Sequence, residues 1–123
     1  MSEVKRITTI TAALIAALSM AFAGDASAKG GAELQRLCSR SRVATPTLDD
    51  LGDIAECYGY IHGAADSVRM RIGSFCLPER GITNGIITQV VLAYLDKHPE
   101  RLHLTAACLV EEGLTAAYPC SPK

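Results

Sequence analysis

The spacing of apolar and polar residues predicts a helical chain whose longest element covers residues 48–73. Apolar residues recur there at intervals of three and four, which places them on one face of an amphipathic helix. They are Leu51, Ile54, Tyr58, Ile61, Ala65, Val68 and Ile72. Thr47 is the predicted N-cap, and Asp49 and Asp50 follow in the first turn, where the helix dipole favours negative charge.

Two glycines, Gly59 and Gly63, lie four residues apart inside this predicted helix. Each destabilises a helix by about 1 kcal/mol relative to alanine unless the missing side chain allows another backbone to approach. We therefore expect another helix to pack closely against the long helix at these two positions.

Two further helices are predicted on either side of the long one. The first covers residues 31–40, and Pro46 separates it from the long helix. Its buried side carries Leu34, Leu37 and Cys38. The other begins after an N-cap at Thr83 and extends to about residue 97. Its apolar stripe consists of Ile86, Ile87, Val90, Val91, Tyr94 and Leu95.

The last predicted helix covers residues 99–118. Pro99 suits the first turn of a helix, so the His98-Pro99 pair indicates a sharp corner before it. The apolar face of this helix consists of Leu102, Ala106, Leu109, Val110, Gly113 and Ala117. At about 100° per residue, Leu104 and Cys108 project from the opposite side. Because the strict alternation of a β-strand does not occur after residue 28, the predicted fold is all-α, a compact bundle of about four helices.

Residues 1–28 have the pattern of a secretory signal peptide. Two basic residues precede an apolar run from about residue 10 to residue 23, and the small residues 26–28 follow. The run is shorter than the roughly 18 to 20 residues of a membrane-spanning helix. We predict cleavage at Ala28/Lys29, with Ala23/Gly24 as the alternative, and no stable membrane insertion afterwards.

The remaining residues, 29–123, are predicted to form one domain of 123 minus 28, or 95, residues. Their core is small, so covalent cross-links are valuable. The formal net charge is −1, because residues 1–28 contain two acidic and two basic residues. Such a low charge gives no electrostatic reason to expect binding to nucleic acid.

All five cysteines lie within this domain, and an exported chain meets an environment in which disulfides form. One cysteine must be odd, and the remaining four pair in three ways, which leaves 15 arrangements. Cys108 is the favoured odd cysteine because it points away from its own apolar face. No cysteine or histidine spacing typical of a zinc site occurs, so we expect no metal and no other cofactor.

An enzymatic function finds little support in the residues. His62 and Asp66 are four apart and are the best pair for a base and the group that orients it, but no nucleophile is placed beside them. An exposed pair at this spacing usually lies on a solvated helix face and has no catalytic role. We therefore predict a binding protein rather than an enzyme.

Three stretches in order identify a resemblance to a known family. They are "CYGYIHGAAD" at 57–66, "FCLPERGIT" at 75–83 and "VVLAYLDKHPERLHLTAACLVEEGLTAAYPC" at 90–120. Together they resemble the Rap/Tai family of type VI secretion amidase immunity proteins, over residues 46–123. The chain departs from the family pattern at two positions. The family usually has a small residue in place of Cys108 and an alanine in place of Gly113.

The resemblance implies a periplasmic helical protein in which Cys38 pairs with Cys57 and Cys76 pairs with Cys120. It also implies the function: such proteins bind a cognate cell-wall amidase effector, a papain-like cysteine amidase, and block its active-site groove. The implied protein is a non-catalytic inhibitor that depends on complementary shape and charge.

Two connections are candidate partner-binding segments. The first follows Cys76 and presents Pro78, Glu79 and Arg80, and a loop pinned at its base enters a groove with a small entropic cost. The second is the connection 39–47, which carries Arg40 and Arg42. The alternative function is a small disulfide-linked periplasmic stress chaperone, which would hold unfolded clients at about pH 3.

Leu104 and Cys108 suggest a homodimer surface, of which one version has an intermolecular disulfide, and the alternative is an isolated exposed thiol beside an isolated exposed leucine. We expect the wild-type protein to migrate as a dimer on a non-reducing gel and as a monomer after reduction. The Cys108→Ser variant should migrate as a monomer in both lanes. A wild-type protein that is monomeric in both lanes contradicts the intermolecular disulfide.

Overall fold

The computed structural model describes residues 2–10, 27–69 and 74–120, and within these ranges the regular elements are helical. The domain consists of α1 (Gly31–Ser39), α2 (Leu48–Arg69), α3 (Asn84–Lys97) and α4 (Ala106–Ala117). Two short 3-10 helices, Arg40–Arg42 and Pro99–Arg101, follow α1 and α3. Residues 2–10 are also helical. Most of the apolar run predicted as the signal core lies outside the described residues, and no described helix has the length and hydropathy needed to cross a membrane.

Side chains cap the two helices whose starts the sequence predicts best. The Asp50 backbone N–H donates to the Thr47 hydroxyl at 3.2 Å, and the Thr47 backbone N–H donates to the Asp50 carboxylate at 2.9 Å. This reciprocal pair is a capping box, and the donors on Thr47 lower the pKa of Asp50. At α3 the Thr83 hydroxyl accepts a hydrogen bond from the Ile86 N–H at 3.2 Å. Both predicted N-caps are confirmed.

Each of the four helices contacts the other three around a single core. The predicted short helix contributes its three apolar residues as expected, since Leu34, Leu37 and Cys38 are buried. The core residues of the other helices are Cys57, Ile61, Ala65, Val68, Ile87, Val91, Leu92, Leu95, Ala106, Leu109, Val110 and Leu114. The predicted all-helical bundle is therefore confirmed in the described residues.

The apolar stripes are displaced from their predicted positions at several points. Leu51 and Ile86 are 49% and 40% exposed, and Ala117 is also exposed, although each was assigned to a buried face. Leu92 and Leu114 are completely buried instead. These differences have one cause: in a bundle, neighbours on both sides widen the buried arc in the middle of a helix, whereas the ends extend beyond their neighbours. Ile72 lies outside the described residues.

The last helix begins seven residues later than predicted. Pro99 starts a 3-10 turn, and α4 begins only at Ala106, after Thr105. The intervening carbonyl groups accept hydrogen bonds from the start of α1: Gly31 N–H donates to Leu104 O at 2.9 Å, and Ala32 N–H to Leu102 O at 3.1 Å. These long-range bonds give two N–H groups in the first turn of α1 the partners that the helix itself cannot supply. They also keep residues 102–105 out of a helix.

The predicted close packing at Gly59 and Gly63 is wrong. Both glycines are exposed, and a Cβ atom added at either would meet nothing within 4 Å among the described residues. Close approach occurs at Gly31, where an added Cβ would collide with Leu109 Cδ1, and at Gly113, where it would lie 3.1 Å from Tyr94 Cβ. The helices approach one another through α1 and α4, while the glycines of α2 face solvent.

This contrast gives a stability prediction. Gly59→Ala and Gly63→Ala should each raise the free energy of unfolding by about 0.5 to 1 kcal/mol, because alanine is the better helix former and has open space at both positions. Gly31→Ala is the matched control and should lower it by about 1 to 3 kcal/mol through overpacking against Leu109. Urea unfolding of the purified variants measures all three. A loss of stability in either α2 variant contradicts the open environment of these glycines.

Candidate partner-binding surface

The connection between α2 and α3 presents an exposed loop, residues 77–82, which we call the presenting loop. Pro78, Glu79 and Arg80 are exposed at its tip, as the sequence predicts. Leu77 and Ile82 are half-buried and pack against the core. Gly81 has φ +81, a left-handed conformation that favours glycine and turns the chain back toward the Thr83 cap. The loop therefore points its polar tip outward and its two apolar ends inward.

The presenting loop is tied down at Cys76, the residue directly before it. Cys76 forms a disulfide with Cys120, and its backbone N–H donates to the Tyr118 carbonyl at 2.8 Å. Phe75, directly before it, is buried in the core. The segment that follows α4 is thereby fixed to the loop base at Tyr118 and Cys120.

Polar side chains of α4 form a second layer of contacts at the loop base. The Thr115 hydroxyl donates to the Ser74 carbonyl at 2.9 Å, and the Ser74 hydroxyl donates to the Glu111 carboxylate at 2.8 Å. Sequence reasoning missed these three residues. The available signal was the spacing of four between Glu111 and Thr115, which places two polar groups on one side of α4.

Both disulfides implied by the family resemblance are present. Cys38 pairs with Cys57, joining α1 to α2, and both residues are 0% exposed. Cys76, in contrast, is exposed and its partner Cys120 is partly exposed. Cys108 is the free, exposed cysteine, as helical geometry predicts.

The arginines of the second candidate segment are engaged within the protein. Arg42 donates to the Asp96 carboxylate at 2.6 Å, and Arg40 lies 3.6 Å from both Asp50 and Asp53. Partial burial raises the pKa of Asp96, but the hydrogen bonds from Arg42 and Gln35 outweigh that effect and lower it overall. A partner would have to compete with these ion pairs, so the segment is a weaker candidate than the presenting loop.

Leu104 and Cys108 do not form the predicted outer face of one helix. Leu104 lies before α4 and packs partly against the core, because its carbonyl group accepts the hydrogen bond from Gly31. Cys108 lies on α4 in a shallow groove of about 570 Å³ lined by Tyr94, Glu111, Glu112, Thr115 and Ala116. The homodimer stays a prediction that rests on Cys108 alone.

A hydrogen-bonded cluster in this groove ties the corner after α3 to α4. The Arg101 guanidinium donates to both oxygens of the Glu112 carboxylate, through Nε at 2.9 Å and through Nη2. The Tyr94 hydroxyl also donates to Glu112, at 2.9 Å. The donors, Arg101 above all, lower the pKa of Glu112, although partial burial opposes them.

The pair considered for catalysis shows no catalytic arrangement. Asp66 is exposed on α2, and in the described ranges no hydrogen bond joins it to His62, whose buried Nε2 atom has no partner there. The same ranges contain no cluster of three or more residues able to bind a metal ion.

A family model described as Rap1a immunity proteins matches residues 30–120 of the 123-residue chain, which includes all four helices, both disulfides and the presenting loop. No curated protein matches the sequence.

The Glu112 cluster gives a pH prediction. Because the pKa of Glu112 is lowered in the folded protein, its ionised form stabilises the fold above about pH 5, and this contribution is lost as the pH falls through the folded-state pKa. Glu112→Gln should lower the free energy of unfolding at pH 7 on the order of 1 kcal/mol, a figure reduced for screening because both side chains of the pair are about a third exposed. At about pH 3 the variant and the wild type should unfold at nearly the same urea concentration.

The matched control is Glu79→Gln, which removes a carboxylate from the exposed loop tip and should change stability little at either pH. Equal destabilisation by Glu112→Gln at pH 7 and pH 3 would show that the Glu112 charge is not what stabilises the corner.

Proposed function

The chain belongs to the Rap1a immunity protein family, and we propose that it is a periplasmic immunity protein that binds and inhibits a peptidoglycan amidase delivered by a type VI secretion system. Membership in an immunity family implies an effector as partner. The amidase and the compartment are inferred from the order of motifs in residues 57–120 and from the signal-like residues 1–28.

The observation that carries the proposal is the combination of an exposed loop tip with a rigid base. A disulfide, a backbone hydrogen bond and the buried Phe75 hold the chain just before the loop, and the Thr83 cap holds it just after. A loop that is already ordered loses little conformational entropy when it enters a groove. This is the property that a competitive protein inhibitor requires.

Inhibition of this kind proceeds by exclusion. The tip residues Pro78, Glu79 and Arg80 enter the active-site groove of the amidase and prevent a stem peptide from reaching the catalytic cysteine. Pro78 restricts the backbone before binding, and the opposite charges of Glu79 and Arg80 provide pairing groups for the walls of the groove. The immunity protein contributes no reacting group.

The test is co-purification of the exported protein with amidases encoded beside its gene, followed by an assay of peptidoglycan cleavage. We expect a stable complex and a loss of amidase activity at a one-to-one ratio. Failure to bind or to inhibit every such amidase contradicts the proposal.

A charge reversal tests the role of the loop. Arg80→Glu should raise the dissociation constant of the complex at least tenfold, because a charged residue in a desolvated groove is then mismatched. Lys97→Glu is the matched control: it makes the same charge change at the other end of α3, roughly 20 Å from the loop, and should leave affinity nearly unchanged. Calorimetric titration of the two variants against the amidase measures both effects.

A further inference from the structure

The two disulfides differ sharply in their exposure to solvent. Cys38 and Cys57 are both completely buried, whereas Cys76 is exposed and Cys120 is partly exposed. Thiol–disulfide exchange requires a thiolate to reach one sulfur atom, so access controls which bond reacts. A dithiol reductant can therefore attack the Cys76–Cys120 bond while the folded core protects the other.

The exposed disulfide also has a local structural role. If it opens, the loop base retains the buried Phe75 and the bonds from Ser74 to Glu111 and Thr115. The chain end and the presenting loop lose their covalent connection. Opening should therefore loosen the loop and the terminus without unfolding the bundle.

We propose that the Cys76–Cys120 disulfide is a redox latch that fixes the conformation of the presenting loop and thereby sets its affinity for the partner. In an oxidising compartment the latch is closed and the loop is ordered before binding. When it is open, the loop must be ordered during binding, which weakens the complex. Only the statement on affinity rests on the proposed function.

The chemistry is a two-electron exchange with a dithiol. One thiolate of the reductant attacks the sulfur of Cys76, the more exposed residue of the pair, the Cys76–Cys120 bond breaks, and Cys120 leaves as a thiolate and takes up a proton. The second thiol of the reductant then attacks the mixed disulfide and releases Cys76 as a thiol. The reductant ends as a disulfide, and the protein gains two electrons and two protons.

The order of reduction is the first test. The Cys108→Ser variant of the full protein has no free thiol when oxidised, so every thiol that appears reports an opened disulfide. It is treated with increasing dithiothreitol, alkylated, and analysed by peptide mass spectrometry. We expect labelling of Cys76 and Cys120 at a dithiothreitol concentration at least tenfold below that needed for the buried pair. Simultaneous opening of both pairs, or earlier opening of the buried pair, overturns the proposal.

The order of the loop is the second test. Trypsin cleaves after Arg80 only if the loop can adapt to the protease, and we expect cleavage there to be at least tenfold faster once the latch is open. Cleavage after Lys97, at the end of α3, is the internal control and should not change. An unchanged rate at Arg80, or an equal acceleration at both residues, contradicts a local latch.

Affinity is the third test. The Cys76→Ser/Cys120→Ser/Cys108→Ser variant should bind the amidase about tenfold more weakly than the Cys108→Ser variant, a difference of about 1.4 kcal/mol. Its affinity should not respond to dithiothreitol. Equal affinity of the two variants refutes the effect on binding. If the oxidised protein binds no amidase, the proposed function fails, and the first two tests still decide whether the latch exists.

Discussion

The packing of α4 against the other three helices is the contact on which the rest of this small domain depends. Its buried residues, Ala106, Leu109, Val110 and Leu114, fill the centre of the core. Its polar side chains hold the loop base, and the turn before it supplies carbonyl groups to the first turn of α1. A domain of this size has one core, so a single helix can organise both the fold and the surface proposed to meet a partner.

Covalent bonds and hydrogen bonds provide the rest of the stabilisation. The buried disulfide joins α1 to α2 inside the core, and the exposed one joins the chain end to the loop base. By the chain-entropy model, each disulfide stabilises the fold by roughly 3 to 4 kcal/mol, because it closes a loop of the unfolded chain. That is a large share of the roughly 5 to 15 kcal/mol typical of folded domains.

The sequence was informative where structure is determined locally. The Thr47 and Thr83 caps, the exposed Cys108 and the exposed tip of the presenting loop all follow from short patterns of residue type, and the structure confirms them. The start of α4 could not be predicted, because it depends on hydrogen bonds to residues 31 and 32, far away in the chain. The glycines of α2 were misread since composition alone does not distinguish an open face from a crowded one. The ties of Ser74 to α4 were missed for a similar reason: they join residues about 40 positions apart.

The fixed ends of the presenting loop have a consequence for how such a protein can change over generations. The backbone is held independently at Cys76 and at Thr83, so the exposed tip residues between them contribute little to the stability of the bundle. If the presenting loop meets the effector as proposed, substitutions at Pro78, Glu79 or Arg80 alter the choice of partner without putting folding at risk. On the proposed function, an immunity protein whose effector changes can explore new recognition sequences at these three positions while the scaffold stays the same.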